Sequence, residues 1–226
     1  MKKLVAVSIV LAILVALAVG VGSATASIPS AKATANVGSI NWLDLEEHAE
    51  AVILQAKIKT PNEKDLFIGV SLESGLYTDT LVKSKLGVTD TSVAKAEIDV
   101  RVLVDDVEAY PGSVVFNMRE QTLTAKFEGM IAACLSIDDL GNIVLDEDCV
   151  TPEELELILD TMSANSFNFI LDNVPQGVHT VKVLAKIDTT GSAQLGSFTA
   201  NATIGKGSVT VEEVRLIKDD PITELP

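Results

Sequence analysis

The sequence predicts an all-β protein, an antiparallel β-sandwich of about nine strands. From residue 47 onward, apolar residues alternate with polar ones, which is typical of strands that bury one face. Residues that favour turns separate these alternating stretches at short intervals. Residues 27–226 make two hundred residues, enough for one large domain or two small ones.

The alternation is clearest in AKAEIDVRVLVDD. Every even position from 94 to 104 is Ala, Ile or Val, and most odd positions carry a charge. A helix would spread those charges around its whole circumference, so this segment predicts a strand. The same pattern predicts strands at 51–60, 65–75, 166–173, 177–188, 197–204 and 208–218.

Three further segments have weaker patterns. Residues 113–129 predict a hairpin that turns between Arg119 and Gln121. Residues 74–92 have no steady period and predict a long crossing loop. Near the end, Gly205-Lys206-Gly207 predicts a turn, and a shift of the apolar phase predicts a bulge at Glu212-Glu213.

The stretch LDNVPQGVHTVKVLAKID (171–188) resembles a corner of bacterial and archaeal immunoglobulin-like modules. It has an apolar residue, a short turn ending in Gly177, and then His179-x-Val181-x-Val183. The resemblance implies an immunoglobulin-like sandwich in which His179 hydrogen-bonds back across the corner. It implies nothing specific about function.

The segment CLSIDDLGNIVLDEDC carries the two cysteines of the chain, Cys134 and Cys149, at its ends. A hairpin turning at Gly141-Asn142 sets them opposite each other, and Gly-Asn is a favourable two-residue loop. Such a pair oxidises in an exported protein. We expect a disulfide that stabilises the fold by about 3 kcal/mol in the chain-entropy model.

The same segment offers an alternative, a calcium site at Asp138, Asp139, Asp146 and Asp148. The segment lacks the D-x-[DN]-x-[DN]-G pattern of a calcium loop. On the predicted hairpin, Asp138 faces one side and the other three aspartates face the opposite side. We favour a solvated acidic edge that prevents pairing with neighbouring strands.

The next segment, TPEELELILDTMSAN (151–165), predicts a short helix. Thr151 suits the N-cap, Pro152 the first helical position, and Glu154 completes a capping box. An apolar stripe follows at Leu155, Ile158, Leu159 and Met162. We expect the helix to plug one end of the sandwich, and the hairpin and helix to form an insert at 130–165.

The start of the chain predicts export. Lys2 and Lys3 precede an apolar run at 4–22, and residues 24–26 form an A-x-A cleavage site, so residues 1–26 predict a signal peptide. The apolar run approaches the length of a bilayer span, so an uncleaved N-terminal anchor is the alternative. Residues 27–226 are expected to form one domain, secreted or at the cell surface.

Charge and composition limit the classes of partner that the protein is expected to bind. The net charge of −15 repels nucleic acid and anionic lipid. We therefore expect no nucleic-acid partner, and membrane contact only through an uncleaved N-terminal segment. Aromatic residues make up 4% of the chain, too few to predict a sugar-stacking platform.

The sequence contains no G-x-S-x-G, H-E-x-x-H, P-loop or dinucleotide fingerprint. His179 has the inward phase of its strand and predicts a structural hydrogen bond, whereas His48 lies among acidic residues at a strand entry. We therefore predict a protein without catalytic residues or a cofactor. Asn201, in the sequon Asn201-Ala202-Thr203, has the outward phase and is a glycan acceptor in a host with that machinery.

Three functions are consistent with these features. The preferred one is a non-catalytic secreted or cell-surface β-sandwich with a structural or protein-binding role toward an unknown protein or cell-envelope partner. The second is a subunit of an extracellular fibre or surface layer, joined by strand exchange through the extended ends 27–39 and 218–226. The third is a secreted acidic hydrolase or a calcium-dependent binding module.

Overall fold

The computed structural model describes residues 32–39, 49–129 and 134–216. The predicted signal segment, His48 and the tail at 218–226 lie outside the described residues. The described residues form strands, turns and short connections without any α-helix. The predicted all-β antiparallel sandwich is therefore confirmed. Within these ranges, no helix is long and apolar enough to cross a membrane.

Eleven strands are found in the described residues. The nine predicted strands become seven, because 113–129 and 197–218 each form one strand instead of two, and four further strands lie at 33–39, 107–108, 135–137 and 143–145. Their bounds are β1 Ala33–Ser39, β2 Glu50–Thr60, β3 Lys64–Ser84, β4 Thr89–Val104, β5 Val107–Glu108, β6 Val114–Lys126, β7 Leu135–Ile137, β8 Ile143–Leu145, β9 Glu153–Val174, β10 Gly177–Ala193 and β11 Ser197–Val214.

The strands form two main sheets and one small one. Sheet A has the order β1-β11-β3-β9, and sheet B has the order β2-β10-β4, with β5 and β6 sharing the far side of β4. Strands β7 and β8 form a separate two-stranded sheet. Every pair of neighbouring strands in the described residues is antiparallel.

The apolar core lies between sheets A and B. In β4 the even positions from Ala94 to Val104 are almost completely buried, as the alternation predicts. Burying one apolar side chain of this kind contributes about 1.5–3 kcal/mol, which drives the two inner faces together. The other large buried side chains include Ile58, Leu66, Ile68, Val70, Leu72, Phe169 and Ile204.

The predicted helix at 151–165 is wrong. These residues form the first half of β9, which pairs with β3 from Glu153↔Ser84 to Phe169↔Ile68. Leu155, Leu157 and Leu159 also alternate with period two, so the segment fits a strand as well as a helix. The long partner strand β3 decides between them, since tertiary pairing overrides local helix propensity. The predicted insert at 130–165 therefore loses its helical part.

The predicted loop at 74–92 is also wrong. Strand β3 continues to Ser84, a tight turn follows, and β4 begins at Thr89. Leu86 and Gly87 take positive φ angles of 54° and 70° in that turn. The apolar alternation is missing from the sequence because many inward positions of this half of β3 are Ser or Thr.

The predicted hairpin at 113–129 is a single strand, β6, without a turn between Arg119 and Gln121. The three inward positions 117, 119 and 121 carry polar side chains, and in the sequence such a run is typical of a turn. A bulge near Phe116 lets that ring point inward as well.

Strand β11 also runs without the predicted turn at Gly205-Lys206-Gly207. Its ladder with β3 shifts between Ile204 and Gly207, so this segment is a β-bulge inside one strand. From Gly207 to Val214 the pairing is regular, and the predicted bulge at Glu212-Glu213 is wrong.

Candidate functional site

The disulfide between Cys134 and Cys149 is confirmed, with a Cα–Cα distance of 5.4 Å. The predicted register of the hairpin, with Cys134 directly opposite Cys149, is wrong. Strands β7 and β8 pair as Ser136↔Val144, so Cys134 lies opposite Asp146, whose N–H donates to the Cys134 carbonyl at 2.9 Å. A turn in which Cys149 N–H donates to the Asp146 carbonyl then returns Cys149 to its partner.

The aspartates weighed as calcium ligands organise the loops of this hairpin. Asp138 accepts hydrogen bonds from the backbone N–H groups of Leu140 and Asn142 and from the Asn142 side chain, at 2.8–3.0 Å. These bonds, led by that of the Asn142 side chain, lower the pKa of Asp138. Asp146 accepts the N–H of Asp148 at 3.1 Å. Across the described part of the chain, no three His, Cys, Asp or Glu side chains lie together as metal ligands.

His179 forms the hydrogen-bonded corner that the sequence predicts. Its Nδ1 lies 2.7 Å from Asp105 Oδ2, and its Nε2 lies 2.8 Å from the Pro175 carbonyl oxygen and 3.2 Å from Thr60 Oγ1. Thr60, His179 and Asp105 thus align like a hydroxyl–imidazole–carboxylate triad. The Thr60 hydroxyl is fully buried, donates to the Pro175 carbonyl at 2.6 Å and accepts the Gly177 N–H at 3.2 Å. A hydroxyl held in this way fastens the corner and has no access to a substrate.

Asn201 lies exposed on the outer face of β11, opposite Tyr77 of β3. A shallow depression of about 290 Å³ borders it, lined by Gly75, Leu76, Tyr77, Asp160, Met162, Asn201 and Thr203. Glycosylation of Asn201 stays a prediction.

The edge of strand β9 is the candidate functional site. At its C-terminal end, Ile170 exchanges both backbone hydrogen bonds with Tyr110, at 2.8 and 2.9 Å, on the side away from β3. Backbone groups alternate between the two sides of an antiparallel strand, so the even residues of β9 direct their N–H and C=O groups away from β3. In the described residues, no backbone partner meets this row between Glu154 and Asn168.

Apolar side chains flank this row on both faces of β9. Six of them are 39–55% exposed: Leu155, Leu157, Ile158, Leu159, Met162 and Phe167. An exposed, long strand edge with apolar side chains pairs readily with another strand. Soluble proteins usually blunt such edges with charge, and on β9 the acidic side chains provide the charges.

Polar side chains from β6 hold the edge strand in place. Gln121 Nε2 donates to the Leu157 carbonyl at 2.7 Å, and Arg119 Nη1 donates to the Leu159 carbonyl at 2.9 Å. Arg119 Nη2 also donates to the Thr161 hydroxyl. Strand β9 is therefore fixed in an extended form before any partner binds, which lowers the entropic cost of pairing.

This edge was not predicted from the sequence, because the apolar stripe from Leu155 to Met162 fits a helix. The signal that was present is the alternation of Leu155, Leu157 and Leu159 with Glu154 and Glu156. The strand order, which makes β9 an edge, has no local signature in the sequence.

Comparison with known proteins gives no family and only distant similarity to solved structures. No protein-family model and no curated protein matches the chain. A chain in the structure of the infectious bursal disease virus Gx strain is 11% identical, with a TM-score of 0.31, over 89% of this chain and 38% of that one. A chain of the T13 IBDV viral particle is 11% identical, with a TM-score of 0.22, over 86% and 43%. The chain thus spans less than half the length of either viral chain, and at these TM-scores the likeness carries no argument about function.

Proposed function

We propose that this protein is an exported, non-catalytic β-sandwich that binds an extended polypeptide along the free edge of β9. The observation that carries the proposal is the row of outward backbone groups from Glu154 to Asn168, flanked by exposed apolar side chains. In strand addition, main-chain hydrogen bonds give affinity, and alternate side chains give specificity.

The expected energies are sufficient for binding. Each backbone hydrogen bond contributes about 0.5–1.5 kcal/mol net. Burying a side chain such as Ile158 or Leu157 contributes about 1.5–3 kcal/mol. Several of each together offset the cost of immobilising the partner, which is reduced because β9 is already extended.

Two features support the exported location. The apolar segment at 4–22 with its A-x-A site is typical of a signal peptide. The Cys134–Cys149 disulfide fits an oxidising compartment, since cytosolic thiols are kept reduced.

The test is site-specific photo-cross-linking in the native host. A photoreactive amino acid replaces Ile158 on the edge, and in a matched control it replaces Ser71, which is exposed on β3 between two paired strands. We expect the exported protein to form an adduct with a polypeptide at Ile158 and none at Ser71. Retention of the chain inside the cell, or an exported protein without a polypeptide adduct at Ile158, would contradict the proposal.

A further inference from the structure

We propose that the polypeptide bound at β9 is strand β1 of a second copy, so that sheet A continues from one copy into the next. This inference rests on the proposed function and names the partner of the same edge. The strand β1 stays in its own sheet, and its outer side pairs with β9 of the neighbouring copy.

The first argument is the direction of the strands. All three pairings along the order β1-β11-β3-β9 are antiparallel, so β9 runs opposite to β1. When one copy is placed beside another in the same orientation, β9 of the first therefore meets β1 of the second as an antiparallel neighbour. Such a head-to-tail contact between copies in the same orientation involves no closing rotation and generates an open filament.

The backbone groups and side-chain faces at the outer side of β1 also match those at the edge of β9. The N–H of Glu213 donates to the Lys32 carbonyl at 2.7 Å, so the even residues at this end of the chain bond to β11. By alternation, Ala33, Ala35 and Val37 direct their backbone groups to the outer side of β1. Their side chains lie on the outer face of sheet A, because their partners on β11 alternate with the buried Val209 and Val211.

The outward groups of β9 belong to its even residues, and these also lie on the outer face of sheet A, since the odd residues pair with the buried positions of β3. Hydrogen-bonded residues in adjacent strands share one face. When the two edges pair, the side chains of each hydrogen-bonded pair therefore lie on the same face. The inner face of sheet A then continues from one copy into the next.

The third argument is charge. Strand β9 carries five acidic residues and no lysine or arginine: Glu153, Glu154, Glu156, Asp160 and Asp172. Two β9 edges paired with each other would place ten acidic residues and no lysine or arginine on two adjacent strands, which disfavours a two-fold dimer. The segment 27–39 contains Lys32 and no acidic residue, whereas the tail 218–226 has one lysine and three acids. Of the two ends of the chain, only the first complements β9.

The fourth argument is the character of β1 itself. None of its residues from Ala33 to Gly38 is buried, and Val37 is 77% exposed. Its seven residues are small or β-branched and fit within the stretch 154–168 of β9. Pairing with β9 buries surface that a single copy leaves in water.

The test uses the chain as the host exports it, with two proline variants. Ala35→Pro removes one outward N–H from β1, and Ile158→Pro removes one from β9, and neither N–H serves the ladder within the copy. Ala35→Ser and Ile158→Thr keep the N–H and serve as matched controls. Assembly is followed by light scattering after gel filtration and by electron microscopy, and circular dichroism checks the fold.

We expect the wild type and both controls to form filaments as concentration rises. Each proline variant alone stays monomeric, or needs about fivefold to a hundredfold higher concentration, because the carbonyl that faces the proline is left without a donor. An equimolar mixture of the two variants forms dimers, because each supplies the edge that the other lacks. This complementation is expected only of a head-to-tail contact.

Other outcomes overturn the inference in distinguishable ways. If Ala35→Pro assembles like the wild type while Ile158→Pro does not, β9 binds itself or another segment, and only the identity of the partner is wrong. If β1 were instead exchanged into the place beside β11 of a neighbour, both variants would assemble normally. A wild type that stays monomeric, yet forms an Ile158 adduct with a different polypeptide in the host, also overturns the inference and leaves the proposed function standing.

Discussion

The interior of the sandwich has two halves with different chemistry. In one half, the inner faces of β3, β4 and β10 meet through apolar side chains such as Ile68, Val70, Ile98 and Val183. In the other half, the buried positions of β3, β4 and β6 are mostly polar: Ser74, Thr78, Thr80, Ser84, Asp90, Ser92 and Gln121. The first half is stabilised by the hydrophobic effect, and the second depends on satisfying each buried polar group.

Within the polar half, Gln121 is the centre of a hydrogen-bond network. The Thr78 hydroxyl donates to Gln121 Oε1 at 2.9 Å, and Gln121 Nε2 donates to Thr80 Oγ1 at 2.5 Å and to the Leu157 carbonyl at 2.7 Å. This network also fixes the edge strand β9, because Leu157 belongs to β9. The comparison therefore indicates that the apolar half holds the sandwich together, while the polar half holds the edge strand β9 in position.

The largest effect is expected from a cavity in the apolar half. Ile98 of β4 is completely buried, so Ile98→Ala should lower the free energy of unfolding by about 2–5 kcal/mol, and Ile98→Val by about 0.5–1.5 kcal/mol. Urea unfolding followed by circular dichroism measures both. Equal and small losses in the two variants would mean that this half is not closely packed.

A smaller but more local effect is expected in the polar half. Gln121→Ala leaves the hydroxyls of Thr78 and Thr80 without this partner and should cost about 1–3 kcal/mol. Thr122→Ala, on the exposed side of the same strand, is the matched control and should change little. Hydrogen exchange at the backbone N–H groups of Leu157 and its neighbours should accelerate in Gln121→Ala. An unchanged exchange rate would mean that the network does not stabilise β9.

The smallest effect is the contribution of Asp90, in the polar half, to the pH dependence of stability. Burial alone would raise the pKa of Asp90, but N–H groups of Lys83, Leu195, Thr91 and Gly196 outweigh it and lower the pKa. A group with a lowered pKa stabilises the fold fully above its unfolded value of about 3.9, and this stability is lost as the pH falls through the folded value.

Asp90→Asn should therefore be less stable than the wild type at pH 6. The difference should shrink as the pH falls below about 4. Urea midpoints measured at several pH values test this, and a difference independent of pH would show that the Asp90 charge contributes nothing.

The same comparison explains what the sequence could predict. In the apolar half, alternation such as Ile98, Val100 and Val102 is visible in the sequence, and so is the phase that places His179 at its corner. In the polar half, inward residues look like outward ones, because Thr78 or Gln121 has no hydrophobic signature. The three longest segments whose secondary structure was predicted wrongly, 74–92, 113–129 and 151–165, all lie there.

Predicting that β9 is an edge strand requires long-range information. The segment Leu155 to Met162 fits a helical stripe and a strand equally well, and only pairing with β3 selects the strand. The disulfide was predictable from the compartment and the spacing of the cysteines, but its register was not, since the loop has five residues between β7 and β8 rather than two. Which strand ends a sheet depends on the order of all strands.

The most direct test of the account is residue-resolved amide exchange by NMR in monomeric Ala35→Pro. The account predicts alternation along β9: slow exchange at odd residues such as Leu157 and Leu159, which bond to β3, and fast exchange at even residues such as Glu156 and Ile158. Uniform protection from Glu153 to Asn165, as in a helix or in a strand paired on both sides, would contradict it.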